Sequence, residues 1–149
     1  MLLQWILALL VLIPFFLFLS VILPQTQWFF MMLWLISLTA DLYSTHKFYR
    51  ENPAQFSQNE RNKAFTLLTK KLSFKKASVI FPLSFEIPLL LFFALLLMKI
   101  LYAYMFQGTP INIPACLATS FGVAGIGHMQ AASTNLRFTK KKIENTTVE

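Results

Sequence analysis

The chain has 149 residues, 56% of them hydrophobic and only 13% charged, with sixteen Phe and a formal net charge of +7. A soluble domain of this length cannot hide so much apolar surface, and the single cysteine, Cys116, excludes an intramolecular disulfide and CxxC redox chemistry. The positive charge is not a nucleic-acid signature, because twelve of the thirteen Lys and Arg fall in two patches, 47–76 and 137–142, separated by apolar runs.

Residues 1–40 carry no charge. The first apolar run, Leu2–Leu23, lacks a basic leader and is longer than the core of a signal peptide, so it reads as a retained membrane span. A short polar turn at Pro24 precedes a second run, Trp28–His46, and a third covers Ala77–Phe106. The connector Gln107-Gly108-Thr109-Pro110 is uncharged, and a fourth run covers Ile111–Leu136. Each has about 20 apolar residues, as a hydrocarbon core of about 30 Å requires. The expectation is an all-α, polytopic four-helix membrane bundle over residues 1–136, followed by a basic tail, 137–149. Paired short turns predict two antiparallel hairpins, the first span on the second and the third on the fourth.

Charge predicts the threading. The 47–76 segment carries eight Lys or Arg and the tail four, whereas neither opposite turn carries any. The positive-inside bias then puts both ends of the chain in the cytoplasm of a multi-pass plasma-membrane protein. Within the basic segment, Ser57 and Glu60 have capping-box spacing, and Phe65, Leu68 and Leu72 recur at helical intervals. This predicts an amphipathic helix over 58–72 on the inner leaflet, with Lys70, Lys71, Lys75 and Lys76 at anionic lipid headgroups.

Three ionisable residues fall inside the spans: Asp41, Glu86 and His128. A charge there costs a few kcal/mol on insertion scales, so such groups face a bundle interior and find partners. At 1.5 Å per residue they lie roughly 8, 14 and 12 Å from the inner ends of three different spans, within reach of one cavity. Ser37, Asp41, Ser44 and Thr45 form a polar stripe on the second span. Ala124, His128, Ala131 and Asn135 share a face of the fourth, where Ala118 and Gly122 are small enough for close helix approach. Pro82 and Pro88 bracket Glu86 and free carbonyls one turn back. The set fits a proton relay or a metal site, with Asp41, Glu86 and His128 as ligands for zinc, iron or manganese and His46 and Glu51 at the rim. It also fits a Glu86–His128 pair, or a protonated Glu86, buttressed by Asp41, that serves only helix association. There is no HExxH and no paired Glu-x-x-His.

Asp41-Leu42-Tyr43-Ser44-Thr45 followed by Glu51-Asn52-Pro53 resembles a D-x-x-[ST]-T … E-x-N-P pattern in a family of small uncharacterised archaeal membrane proteins. The resemblance covers about a fifth of the chain. It implies no activity, only that Asp41, Thr45, Glu51 and Asn52 form a linked group. Three functions compete on these residues: a non-catalytic accessory subunit of a larger respiratory or oxygenase-like membrane complex, a stand-alone intramembrane metal-binding or proton-handling protein, and a small transporter that would need to assemble with itself to form a pore.

Overall fold

The computed structural model describes residues 2–51, 63–104 and 112–146, and every regular element among them is helical. α1 spans Leu2–Ile22, α2 Thr26–Glu51, α3 Lys63–Lys71 and α4 Phe74–Phe81. A π-turn, Pro82–Glu86, joins α4 to α5, Ile87–Tyr104, and α6 runs from Ile113 to Thr146. α4, the π-turn and α5 form one continuous helix. Its 30 residues from Phe74 to Ala103, at a mean hydropathy of 2.3, make it long and apolar enough to cross a membrane. Ile6–Ile22 is a shorter apolar helix.

The local sequence explains the boundaries. Pro24 stops α1, and Thr26 Oγ1 donates to the Leu23 carbonyl at 2.7 Å while Gln27 Nε2 reaches back to the Ser20 carbonyl at 2.8 Å, closing the turn into α2. Ser73 caps α4, and Asn112 caps α6 by accepting from the Ala115 amide at 3.0 Å. The π-turn sits where Pro88 removes an amide donor and crowds the carbonyl four residues back. The Ile87 amide bonds instead to the Pro82 carbonyl five residues back.

α6 is the helix that α1, α2 and α5 all pack against. α1 and α2 touch only lightly, because the small residues that allow close approach lie on α6. A Cβ placed on Gly125 would come within 3.2 Å of the Trp34 backbone, so α2 approaches α6 backbone to backbone. Gly122 seats the Phe16 ring of α1, and Phe16, Phe30 and Ala118 form one buried cluster among α1, α2 and α6. Ala94, Leu97 and Leu101 of α5 close over Cys116 of α6, with Ile13 and Leu17 of α1 beside them. Contacts pair 30 with 118, 41 with 128 and 45 with 135, so α2 and α6 run parallel. The segment from α4 through α5 runs the other way.

The described residues of the expected basic loop at 47–76 are mostly helical. α2 continues to Glu51, and α4 begins at Phe74 rather than Ala77. α3 starts at Lys63; the 58–62 part of the expected interfacial helix and its capping box lie outside the described residues. Phe65 is buried against Ala77, with Leu42, Leu68, Phe74 and Phe81 around it. The Phe65 edge of α3 therefore packs on α2 and α4, while Leu67 of the same helix is exposed. Lys70, Lys71, Lys75 and Lys76 remain exposed at this end.

Candidate functional site: a carboxylate–imidazole–carboxylate array

The three ionisable residues singled out inside the expected spans meet. His128 of α6 holds Asp41 Oδ2 of α2 at 2.8 Å through Nδ1 and Glu86 Oε1 of the π-turn at 2.6 Å through Nε2. Side-chain exposure is 19% for His128 and Asp41 and 12% for Glu86. Each group owes its position to a local feature. Gly125, one turn before His128, brings α6 onto α2. The extra residue of the π-turn rotates Glu86 relative to the helix before it and aims it at α6.

The sequence stripe did not include Trp34. Its indole Nε1–H donates to Glu86 Oε1 at 2.8 Å, and its ring meets Phe121 of α6 edge-on at 5.0 Å. A signal was present: Trp34 lies seven residues before Asp41, on the same helical face, and an indole far from a span end needs an acceptor. Glu86 Oε1 thus carries two hydrogen bonds, whereas Glu86 Oε2 is buried with no partner among the described residues.

One turn towards the basic end, neutral groups join the same two helices. Asn135 Nδ2 donates to Thr45 Oγ1 at 3.0 Å and to Ser44 Oγ at 3.3 Å, and it lies 3.5 Å from Asp41 Oδ1. Thr45 Oγ1 in turn donates to Asp41 Oδ1 at 3.4 Å. Ser44, Thr45 and Asn135 therefore extend the array, as expected. Glu51 does not join it. It lies ten residues further along α2 and lines a shallow open pocket of about 390 Å³ with Tyr43, His46, Lys47 and Arg50. His46 instead packs its ring on Phe74 at 4.8 Å. Asn52 lies outside the described residues.

The geometry fixes a proton count. Each His128 contact needs one hydrogen, so two protons are shared among the three side chains wherever they reside. With two, the array carries a net charge of −1. A third brings it to zero, and Glu86 Oε2 is the one Glu86 oxygen without a hydrogen bond. The arrangement is a row rather than a cup. Both ring nitrogens are aimed at carboxylate oxygens, so imidazole and carboxylates do not converge on a common point, and among the described residues no group of three His, Cys, Asp or Glu is arranged to hold a metal ion. Comparison with protein-family models, curated proteins and solved structures finds no match to this chain.

Proposed function

We propose that this protein is an integral membrane protein of four spans, α1, α2, the helix from α4 through α5, and α6, whose Asp41–His128–Glu86 array takes up and releases a proton within the bilayer. The carrying observation is the imidazole bonded through both nitrogens to carboxylates of two other helical segments. A histidine so placed accepts a proton on one side and gives one up on the other without leaving its seat. The unequal charge of the two bundle ends supports the threading, with the basic segments and both termini cytoplasmic. Exposed Phe and Leu on α1 and α5 support lipid as their surroundings. Lys70, Lys71, Lys75 and Lys76 then face anionic headgroups.

Infrared titration of the purified protein in detergent tests the array. A protonation-linked carboxyl signal is expected that disappears in Glu86→Gln and shifts in Asp41→Asn. A titration identical in wild type and both variants rejects proton uptake at this site. Reporter fusions after residues 25, 58, 108 and 149 test the threading; a reporter after 58 active only outside the cell rejects it.

One observation favours a second reading, the accessory subunit. Gly127 has nothing within 4 Å of an added Cβ, which leaves open space beside α6 at this position. Another helix could seat there. Co-purification of a second membrane chain that Gly127→Leu releases would favour it.

A further inference from the structure

The bundle differs above and below the array. On the side of α3 and the basic residues, Thr45 Oγ1 donates to Asp41 Oδ1 within α2 and accepts across the helix boundary from Asn135 Nδ2 of α6. On the other side three buried hydroxyls turn inward on their own helices, and Ser20 Oγ near the end of α1 has no hydrogen-bond partner among the described residues. Ser37 Oγ donates to the Leu33 carbonyl, Thr119 Oγ1 to the Ala115 carbonyl and Ser120 Oγ to the Cys116 carbonyl. Apolar layers fill the space between. Phe16 and Phe30 meet edge to face at 4.5 Å, each 4% exposed, over Ala118 at 0%, and the Trp34–Phe121 pair lies between them and the array. Close-packed aromatic and aliphatic side chains leave no room for water and offer no acceptor through which a proton could hop.

We infer that the array exchanges protons with one side of the membrane only, the side of Lys70, Lys71, Lys75 and Lys76, through Asp41 and Thr45, which Asn135 holds in place, and that the Phe16–Phe30 and Trp34–Phe121 layers close it to the other. This rests on the proton-exchange reading above and adds its direction. In the two-proton state His128 passes its Nε2 hydrogen to Glu86 Oε1 and keeps its Nδ1 hydrogen bonded to Asp41. Thr45 then passes its hydroxyl hydrogen to Asp41 Oδ1 and takes a replacement proton from water on the lysine side, which leaves three protons and zero net charge on the array and inverts the Thr45–Asp41 hydrogen bond. Among the described residues, α1 contributes no ionisable group over Leu2–Ile22, and α5 contributes Lys99, Tyr102 and Tyr104, all thirteen or more residues beyond Glu86. α6 adds Cys116 on the far side of the aromatic layers and Arg137 two residues beyond Asn135, and α2 adds Tyr43 and His46 on the lysine side of Asp41. The site is a dead-end port, not a conducting channel.

Trp34 is a built-in reporter, since its indole bonds to Glu86. The full-length Trp5→Phe/Trp28→Phe protein leaves it as the sole tryptophan; Trp28 is 74% exposed, so its replacement disturbs little. The protein is reconstituted in sealed vesicles, with orientation scored by labelling the exposed lysines with an impermeant amine reagent. One compartment is then acidified. The expected result is a rapid Trp34 emission change when the lysine-side compartment is acidified, and none from the other side until a protonophore is added. Thr45→Val/Asn135→Leu should lose the rapid phase yet still respond slowly, which separates a blocked path from a misfolded bundle. A response to the opposite side, or equal responses to both, overturns the one-sided port while leaving proton exchange standing. No response even with protonophore overturns proton exchange at the array, and the port with it.

Discussion

Three glycines on one helix give the sharpest test of how the array is assembled. Gly122, Gly125 and Gly127 lie within six residues on α6, and each can be changed to alanine. A Cβ on Gly125 would sit 3.2 Å from both Trp34 Cα and Trp34 N, and 3.4 Å from Leu33 C. All three neighbours are backbone, so relief requires the whole of α2 to move off α6 by a few tenths of an ångström. That motion acts directly on the 2.8 Å contact of His128 with Asp41, one turn away. Overpacking of this kind costs about 1–3 kcal/mol. Removing a helix-interior glycine returns up to about 1 kcal/mol, so Gly125→Ala should destabilise by about 1–2 kcal/mol. Gly127 has nothing within 4 Å, so Gly127→Ala keeps only the propensity gain and should be neutral to stabilising by up to about 1 kcal/mol. At Gly122 the obstacle is the Phe16 ring at 3.1 Å, a side chain that can tilt, and its alanine variant should fall between the other two. Reversible unfolding in mixed micelles gives the three values. Equal values for Gly125→Ala and Gly127→Ala would refute the claim that backbone contact between α2 and α6 sets the geometry.

Three further substitutions test other joints. His128→Ala removes the group that holds two carboxylates together and should cost about 3–5 kcal/mol in the same unfolding assay, since it strands charge among buried neighbours. The triple variant Asp41→Asn/Glu86→Gln/His128→Ala, which carries no charge at the site, should recover part of that loss. Trp34→Phe keeps a ring against Phe121 but deletes the donor to Glu86. A loss of about 0.6–1.7 kcal/mol is expected, together with a shifted carboxyl signal in the infrared spectrum; an unchanged spectrum would argue against the Trp34–Glu86 bond. Phe65→Ala empties the contact of α3 with Ala77 and Phe74. Amide hydrogen exchange should rise in α3 while the amides of α2 and α6 flanking the array stay protected, and uniform loss of protection would show that α3 is not a separable unit.

Much of this arrangement was legible in the residues, for physical reasons. Asp41, Glu86 and His128 stand out because an ionisable group in an apolar run is too costly to leave unpaired. Their similar distances from the run ends already put them at one level. The stripe of Ser44 and Thr45 and the matching face with Asn135 followed from helical period alone. What stayed hidden were choices set by neighbours. Nothing local shows which apolar residue of an amphipathic helix meets protein, so the insertion of Phe65 between Phe74 and Phe81 could not be read from the spacing of Phe65, Leu68 and Leu72. Short turns predicted α1 beside α2, but turn length limits only how far two helices can diverge. The glycines of α6 decided which pairs approach closely. The prolines around Glu86 announced a distorted helix, yet a π-turn and a simple kink begin from the same missing amide.

The two polar joints between α2 and α6 help to separate locking from chemistry. Asn135 with Ser44 and Thr45 ties the helices through neutral amide and hydroxyl groups, with no net charge to desolvate. Such groups are enough to associate helices in lipid. Had the bundle needed only a second lock one turn further on, another neutral pair would have served without the several kcal/mol that desolvating ions demands. The chain instead places three titratable groups there, draws the third from a separate helical segment through a π-turn, and leaves one Glu86 oxygen without a bond. Each of those features adds cost if helix association is the only purpose. Each has a use if a proton must arrive at Asp41, cross the imidazole and reside on Glu86. Replacing the array by neutral hydrogen-bonding residues should therefore preserve the fold and abolish the titration.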